Sequence, residues 1–198
     1  MINCLNSNKY IELYKDFLHP NPNINSQAFL ILIKEFEAKF MNNLLANLQE
    51  DDLLIRRKSI LALGRLGEKT LKLIVPLYIE TSNTTVKVSC LKTMIKVIVN
   101  FNLEELTQEE MLIVDLALKD DTTEIILTVI SLLRQLGRTG RNILMKTCRD
   151  KDLLRAKASV SALLEMKDQT VDELFNELLN DKFIDPMIKE DILRDKTT

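Results

Sequence analysis

Apolar residues recur along this chain in a stripe that returns at a nearly constant interval. Within residues 52–67, Ile55, Ile60, Leu63 and Leu66 stand at helical spacing among Arg, Lys and Ser. The stripe returns 31 residues later as Val86, Leu91, Met94 and Val97, and 39 residues after that as Ile125, Ile130, Leu133 and Leu136. It returns again 30 residues on as Arg155, Val160, Leu163 and Met166, with arginine in the first apolar place. A partial copy begins at Ile188 and Leu193, and another lies upstream at Ile24, Phe29 and Leu32, so six copies are visible.

Three residues before each copy stand Asn21, Asp52, Asn83, Thr122, Asp152 and Asp185. All six side chains accept hydrogen bonds, and a helix leaves its first N–H groups without partners, so each predicts an N-cap that contributes about 1 kcal/mol. Pro22 and Pro186 follow two of them, at the first helical position, where a fixed φ helps and a missing N–H costs nothing. Helices are therefore predicted to begin near 22, 53, 84, 123, 153 and 186. A further helix precedes each, at roughly 7–18, 40–49, 70–80, 107–118, 139–148 and 169–180. Leu71, Ile74, Val75 and Tyr78 show the spacing in the third of these, and Val171, Leu174, Leu178 and Leu179 in the last. Gly67 and Gly137 mark helix stops, because glycine tolerates a left-handed backbone. A helix pair of about 30 residues cannot bury its own apolar face, whereas stacked pairs can. The prediction is an all-α protein, an α-solenoid of about six pairs and roughly twelve helices forming a single domain over 1–198. The 39-residue interval is assigned to a longer loop at 100–107.

Composition narrows the chemistry. Four glycines and 5% aromatic residues argue against a sheet protein and against a glycine-rich phosphate cradle. The formal net charge is −2, too near neutral for a protein that coats nucleic acid. That balance hides four blocks. Residues 52–100 carry nine Lys/Arg against three acids, and 101–126 carry one against eight. Residues 134–157 then carry eight against two, and 158–195 four against ten. In a solenoid such blocks become bands along the long axis. The cations Arg56, Arg57, Arg65, Lys87, Lys92, Lys96 and Arg134 fall on second helices of the pairs, which in such stacks line the concave side. They are the candidate partner-binding residues, forming a groove for an acidic protein surface or a propionate-bearing ligand.

Catalytic candidates are sparse. The single histidine, His19, lies in the turn His19-Pro20-Asn21-Pro22. Cys4, Cys90 and Cys148 are odd in number and far apart, without metal-ligand spacing, and read as reduced thiols. Cys90 holds a small-residue packing position. Cys148 has Lys146 and Arg149 beside it to favour thiolate, and a helix C-terminus to oppose it. The acid pairs Glu104-Glu105 and Glu109-Glu110 read as solvated charges near a helix start. No stretch approaches the ~18 apolar residues of a membrane span, and residues 1–6 lack the pattern of a secretory signal. A soluble, intracellular protein without its own catalytic or metal site is the expectation.

Helix pairs of this length, with a capping residue and then an apolar–basic pair such as Ile55-Arg56 or Val86-Lys87, resemble HEAT repeats. Ala62-Leu63-Gly64-Arg65-Leu66-Gly67 resembles the short HEAT units of the phycobilin lyase-related proteins of cyanobacteria and plastids. The chain departs from that pattern at Ile126 and Ala156, where the basic residue is missing, and at 21, 83 and 122, where the capping Asp is replaced. The resemblance implies work in cyanobacterial cytoplasm or plastid stroma. Its leading implication is a non-catalytic scaffold or chaperone for a phycobiliprotein, or one that joins a second HEAT protein. An enzyme reading, as a subunit of a bilin lyase or isomerase handling a bilin, and an iron–sulfur assembly scaffold are the alternatives it carries.

Overall fold

The computed structural model describes residues 2–195, with side chains from residue 7 onward; the Cys4 side chain and the extreme termini lie outside that description. Eleven α-helices and no strand occur among the described residues: α1 (Ile2–Phe17), α2 (Pro22–Ala46), α3 (Leu53–Arg65), α4 (Glu68–Glu80), α5 (Thr84–Phe101), α6 (Gln108–Leu118), α7 (Thr123–Gln135), α8 (Gly137–Thr147), α9 (Leu153–Met166), α10 (Asp172–Asn180) and α11 (Pro186–Asp195). In one layer α2, α3, α5, α7, α9 and α11 pack each against the next. The intervening helices α4, α6 and α8 pack against that layer, and α1 packs on α2. The result is an all-α, solenoid-like stack.

The caps explain where the helices of the first layer start. Asn21 accepts from the N–H of Asn23, Asp52 from Leu54 and Ile55, and Asn83 from Thr85 and Val86. Asp152 accepts from the N–H of Arg155 and Asp185 from that of Met187. Thr122 makes no such bond. Its own N–H is held by Asp120, at 2.9 Å, so here the carboxylate two residues upstream organises the turn. Gly67 and Gly137 have φ of 79° and 56°, the left-handed region in which a Cβ would be strained.

The apolar stripe becomes the core. Leu63, Leu91, Met94, Val97, Leu133, Leu136, Val160 and Leu163 are all fully buried. Where Arg155 replaces the first apolar residue of its copy, its guanidinium reaches back across the repeat boundary and donates to the Asp120 carbonyl at 2.7 Å. A long side chain thus ties down the preceding turn that an aliphatic one would only have covered.

Four local expectations change. The stretch at 40–49 is not a separate helix but the far half of α2, which bends at Phe36 (φ −138°, ψ 28°) and ends in a short 3₁₀ turn at Asn47–Gln49. The extra residues before the fourth copy are shared between helix and loop, because α5 runs on to Phe101 and leaves only 102–107 irregular. Glu110 is not a solvated charge. It is buried in a reciprocal cap, its carboxylate accepting the Thr107 N–H at 2.8 Å while the Thr107 hydroxyl accepts the Glu110 N–H. In α11 the buried pair is Ile188 and Ile192, and Leu193 is exposed.

Candidate functional site

The alternating charge blocks meet across repeat boundaries. Lys87 and Lys92 pair with Asp120 (3.4 Å) and Glu124 (3.2 Å), joining the first basic block to the first acidic one. Arg134 pairs with Glu165, Arg141 with Asp168, Arg149 with Glu177 and Asp181, and Lys157 with Asp191, joining the second basic block to the second acidic one. Arg155 reaches back to Asp121. Partners lie about one repeat apart in sequence. The bands expected as free patches of potential are in part ladders of ion pairs between neighbouring repeats, most fully between the second basic and second acidic blocks. Most of these pairs are partly exposed, so each contributes only about 0–1 kcal/mol. Asp120 is the better-anchored member: burial alone would raise its carboxyl's pKa, but bonds from Thr122 and Lys87 hold it below the ordinary value.

This pairing divides the seven cations singled out from the sequence. Lys87, Lys92 and Arg134 have carboxylate partners. Arg56 donates to the Glu50 carbonyl at the turn before α3. Arg57, Arg65 and Lys96 have no carboxylate within ion-pair distance among the described residues, although Arg65 lies over the Phe29 ring at 3.9 Å. Arg134 stands apart on α7, in a shallow pocket with Leu127, Ser131 and Glu165.

The other six cluster on α3 and α5. Between the starts of these helices lies a cavity of about 420 Å³ lined by Arg56, Arg57, Ile60, Val88, Lys92 and Glu124. Further along, a cavity of about 480 Å³ is lined by Phe17, Lys58, Leu61, Arg65, Lys96 and Asn100, with the His19–Pro22 turn closing one end. Lys58 was not singled out from the sequence. Its ammonium donates to the carbonyls of Leu18 and His19, fastening α3 to the α1–α2 turn, and burial holds its pKa below the ordinary value. His19 accepts the Asn21 N–H on Nδ1 at 3.0 Å, which makes it a local turn brace.

The thiols are sealed. Cys90 is fully buried, and burial pushes its pKa up to about 12. Cys148 is fully buried with its Sγ 3.2 Å from the Leu144 carbonyl, and burial raises its pKa to about 11. The positive charge of Arg149 offsets only part of that rise. At pH 8 iodoacetamide should therefore label neither Cys90 nor Cys148 in the folded protein and both in urea, read by peptide mass spectrometry. The same shifts set a sign for stability. These thiols stay protonated in the folded chain above 9.0, their ordinary value, so their contribution is whole below about pH 9 and drains as pH rises through 11 to 12. Among the described residues no three His, Cys, Asp or Glu side chains gather to hold a metal ion, and no helix is long and apolar enough to cross a membrane.

With this arrangement in hand, comparison with known proteins supplies a context. No family model matches the chain. It is similar to two cyanobacterial proteins. One, from Pseudanabaena tenuis, is named uncharacterized phycocyanin operon protein Z and is 23% identical over 178 residues, spanning 89% of this chain and 88% of that protein. The other, bilin biosynthesis protein CpeZ of Synechococcus sp. WH8020, is 28% identical over 153 residues, spanning 74% of this chain and 82% of its own length.

Proposed function

We propose that this chain is a non-catalytic, HEAT-like scaffold or chaperone in phycobilin handling, which holds an acidic protein client, a phycobiliprotein, on the basic seam between α3 and α5. The observation that carries the reading is the group Arg57, Arg65 and Lys96, left without carboxylate partners on one face, while the cations Arg134, Arg155 and Lys157 on α7 and α9 are paired. Unpaired cations of one sign on a rigid layer attract an acidic surface and orient it without needing to react with it. The names of the two relatives support the pigment context. This reading implies cyanobacterial cytoplasm or plastid stroma as the working compartment.

A second reading is a bilin lyase subunit, in keeping with a Synechococcus relative named for bilin biosynthesis. Under it the client's own cysteine would attack the bilin, and this chain would only orient the two. Mixing the purified protein with apo-phycobiliprotein, with and without free bilin, separates the readings. The scaffold predicts a complex on size-exclusion chromatography and no gain in acid-stable, covalently bound colour on the client. Covalent colour that depends on this chain would overturn the scaffold in favour of the lyase, and the absence of any complex would remove both.

A further inference from the structure

The basic seam has two walls with the same period. On α3, Arg57, Leu61 and Arg65 follow one another at four-residue steps; on α5, Lys92, Lys96 and Asn100 do the same. All six are exposed, and the two cavities along the seam are each lined by residues from both helices. Four residues advance an α-helix by about 6 Å, so each wall repeats at about 6 Å over roughly 12 Å. The walls lie close together, since a Cβ added at Gly64 of α3 would collide with the Cβ of Lys96 on α5. Leu61, 50% exposed, interrupts the cations of the α3 wall with an apolar step, and Glu124 beside Lys92 is the one acidic residue lining either cavity.

Resting on the scaffold reading, we infer that the client element seated in this seam is an α-helix carrying a two-row acidic face. A helix presents residues i, i+4 and i+3, i+7 as two adjacent rows with a step of about 6 Å, matching both walls at once. An extended segment sends only every second side chain to one face, in a single row, and leaves one wall unmatched. Carboxylates in the rows meet Arg57, Arg65 and Lys96. An aliphatic residue between them covers Leu61, whose exposed surface is otherwise unpartnered in the seam. Glu124 sets the limit of the acidic rows, since a carboxylate opposite it is repelled unless Lys92 is released to the partner.

The test uses the full-length protein and three fluorescent peptides of equal length and net charge, the first two also of equal composition, followed by anisotropy at low salt. The first bears Glu at i, i+3, i+7 and i+8 with Leu at i+4, between the two carboxylates of its row; the second distributes the same residues around the helix; the third has the first pattern with a central Ala outside that face replaced by Pro to break the helix. The first should bind at least about tenfold tighter than either of the others, and Arg65→Glu with Lys96→Glu should abolish that advantage. Equal binding by all three would overturn the helix and leave a non-specific polyanion surface. Tightest binding by the broken peptide would overturn it in favour of an extended segment. An advantage that survives the double substitution would overturn the location. The fate of the scaffold reading is decided separately, by whether the client protein forms a complex that those substitutions weaken.

Discussion

Replacing Gly140 by alanine should destabilise the protein by roughly 3 kcal/mol, at the upper end of what overpacking usually costs. A Cβ at this position would run into the backbone carbonyl of Leu133, at the end of α7, and backbone cannot swing aside as a side-chain tip does. Either α8 must move off α7 or the last turn of α7 must open. The neighbouring glycine gives an internal control. At Gly137 an added Cβ meets nothing within 4 Å, and the strain comes only from its φ of 56°. Gly137→Ala should therefore cost about 1–2 kcal/mol, the usual penalty for a left-handed alanine. For a chain of this size the two substitutions should lower the melting temperature by about 6–12 °C and about 2–8 °C respectively. Circular dichroism melts of the two variants check the order. A Gly137 variant less stable than the Gly140 variant would mean that α8 is not seated on the Leu133 carbonyl. Because repeats couple mainly to their neighbours, hydrogen exchange should rise first in α7 to α9.

That glycine pair shows what the sequence makes legible and what it withholds. A left-handed stop is a property of one residue and its neighbours, so Gly137 can be read from the chain. Close approach between elements belongs to two segments at once, and nothing local to Gly140 announces it. The same division runs through the fold. Capping residues and the apolar period act within a few residues and mark where α2, α3, α5, α7, α9 and α11 begin. Thr122 reads as a cap by residue type, yet Asp120 performs the ordering, because a carboxylate two residues upstream competes for the same turn. The continuity of α2 through Phe36 also escapes, since it depends on α1, whose Tyr10 stacks edge-on against Phe36 at 5.4 Å.

For the site, charge blocks were visible but their use was not. A block of cations looks the same in sequence whether its partners are solvent, a client or the next repeat. The deciding signal is the register: Lys92 with Glu124, Arg134 with Glu165 and Arg149 with Asp181 are separated by 31 or 32 residues, close to the repeat length. Aligning the copies and asking which cation faces an acid one repeat later would have found most of the ladder. It would also have isolated Arg57 and Arg65, whose counterparts 31 residues on are Val88 and Lys96.

This register yields a pair of opposite expectations for charge reversal. Arg57→Glu with Lys96→Glu removes two cations that no carboxylate of the described chain neutralises, so the fold should hold within about 0.5 kcal/mol, as for ordinary surface changes. Affinity for an acidic client should fall about 30- to 100-fold at low salt, at roughly tenfold or a little less per reversed charge, or about 1.4 kcal/mol. Arg134→Glu with Arg149→Glu should do the reverse. Each turns an attraction, to Glu165 in one case and to Glu177 and Asp181 in the other, into repulsion between neighbouring repeats. At up to about 1 kcal/mol per partly exposed contact, the double variant should lose about 2 kcal/mol of stability while client affinity changes less than about threefold. Both effects should shrink as ionic strength rises and the screening length falls from about 10 Å at 0.1 M to a few ångströms at 1 M. Calorimetric titration with apo-phycobiliprotein and urea denaturation of the two double variants measure the four quantities. Client affinity that follows the ladder variant, or ignores both, would show that the seam between α3 and α5 is not the contact surface.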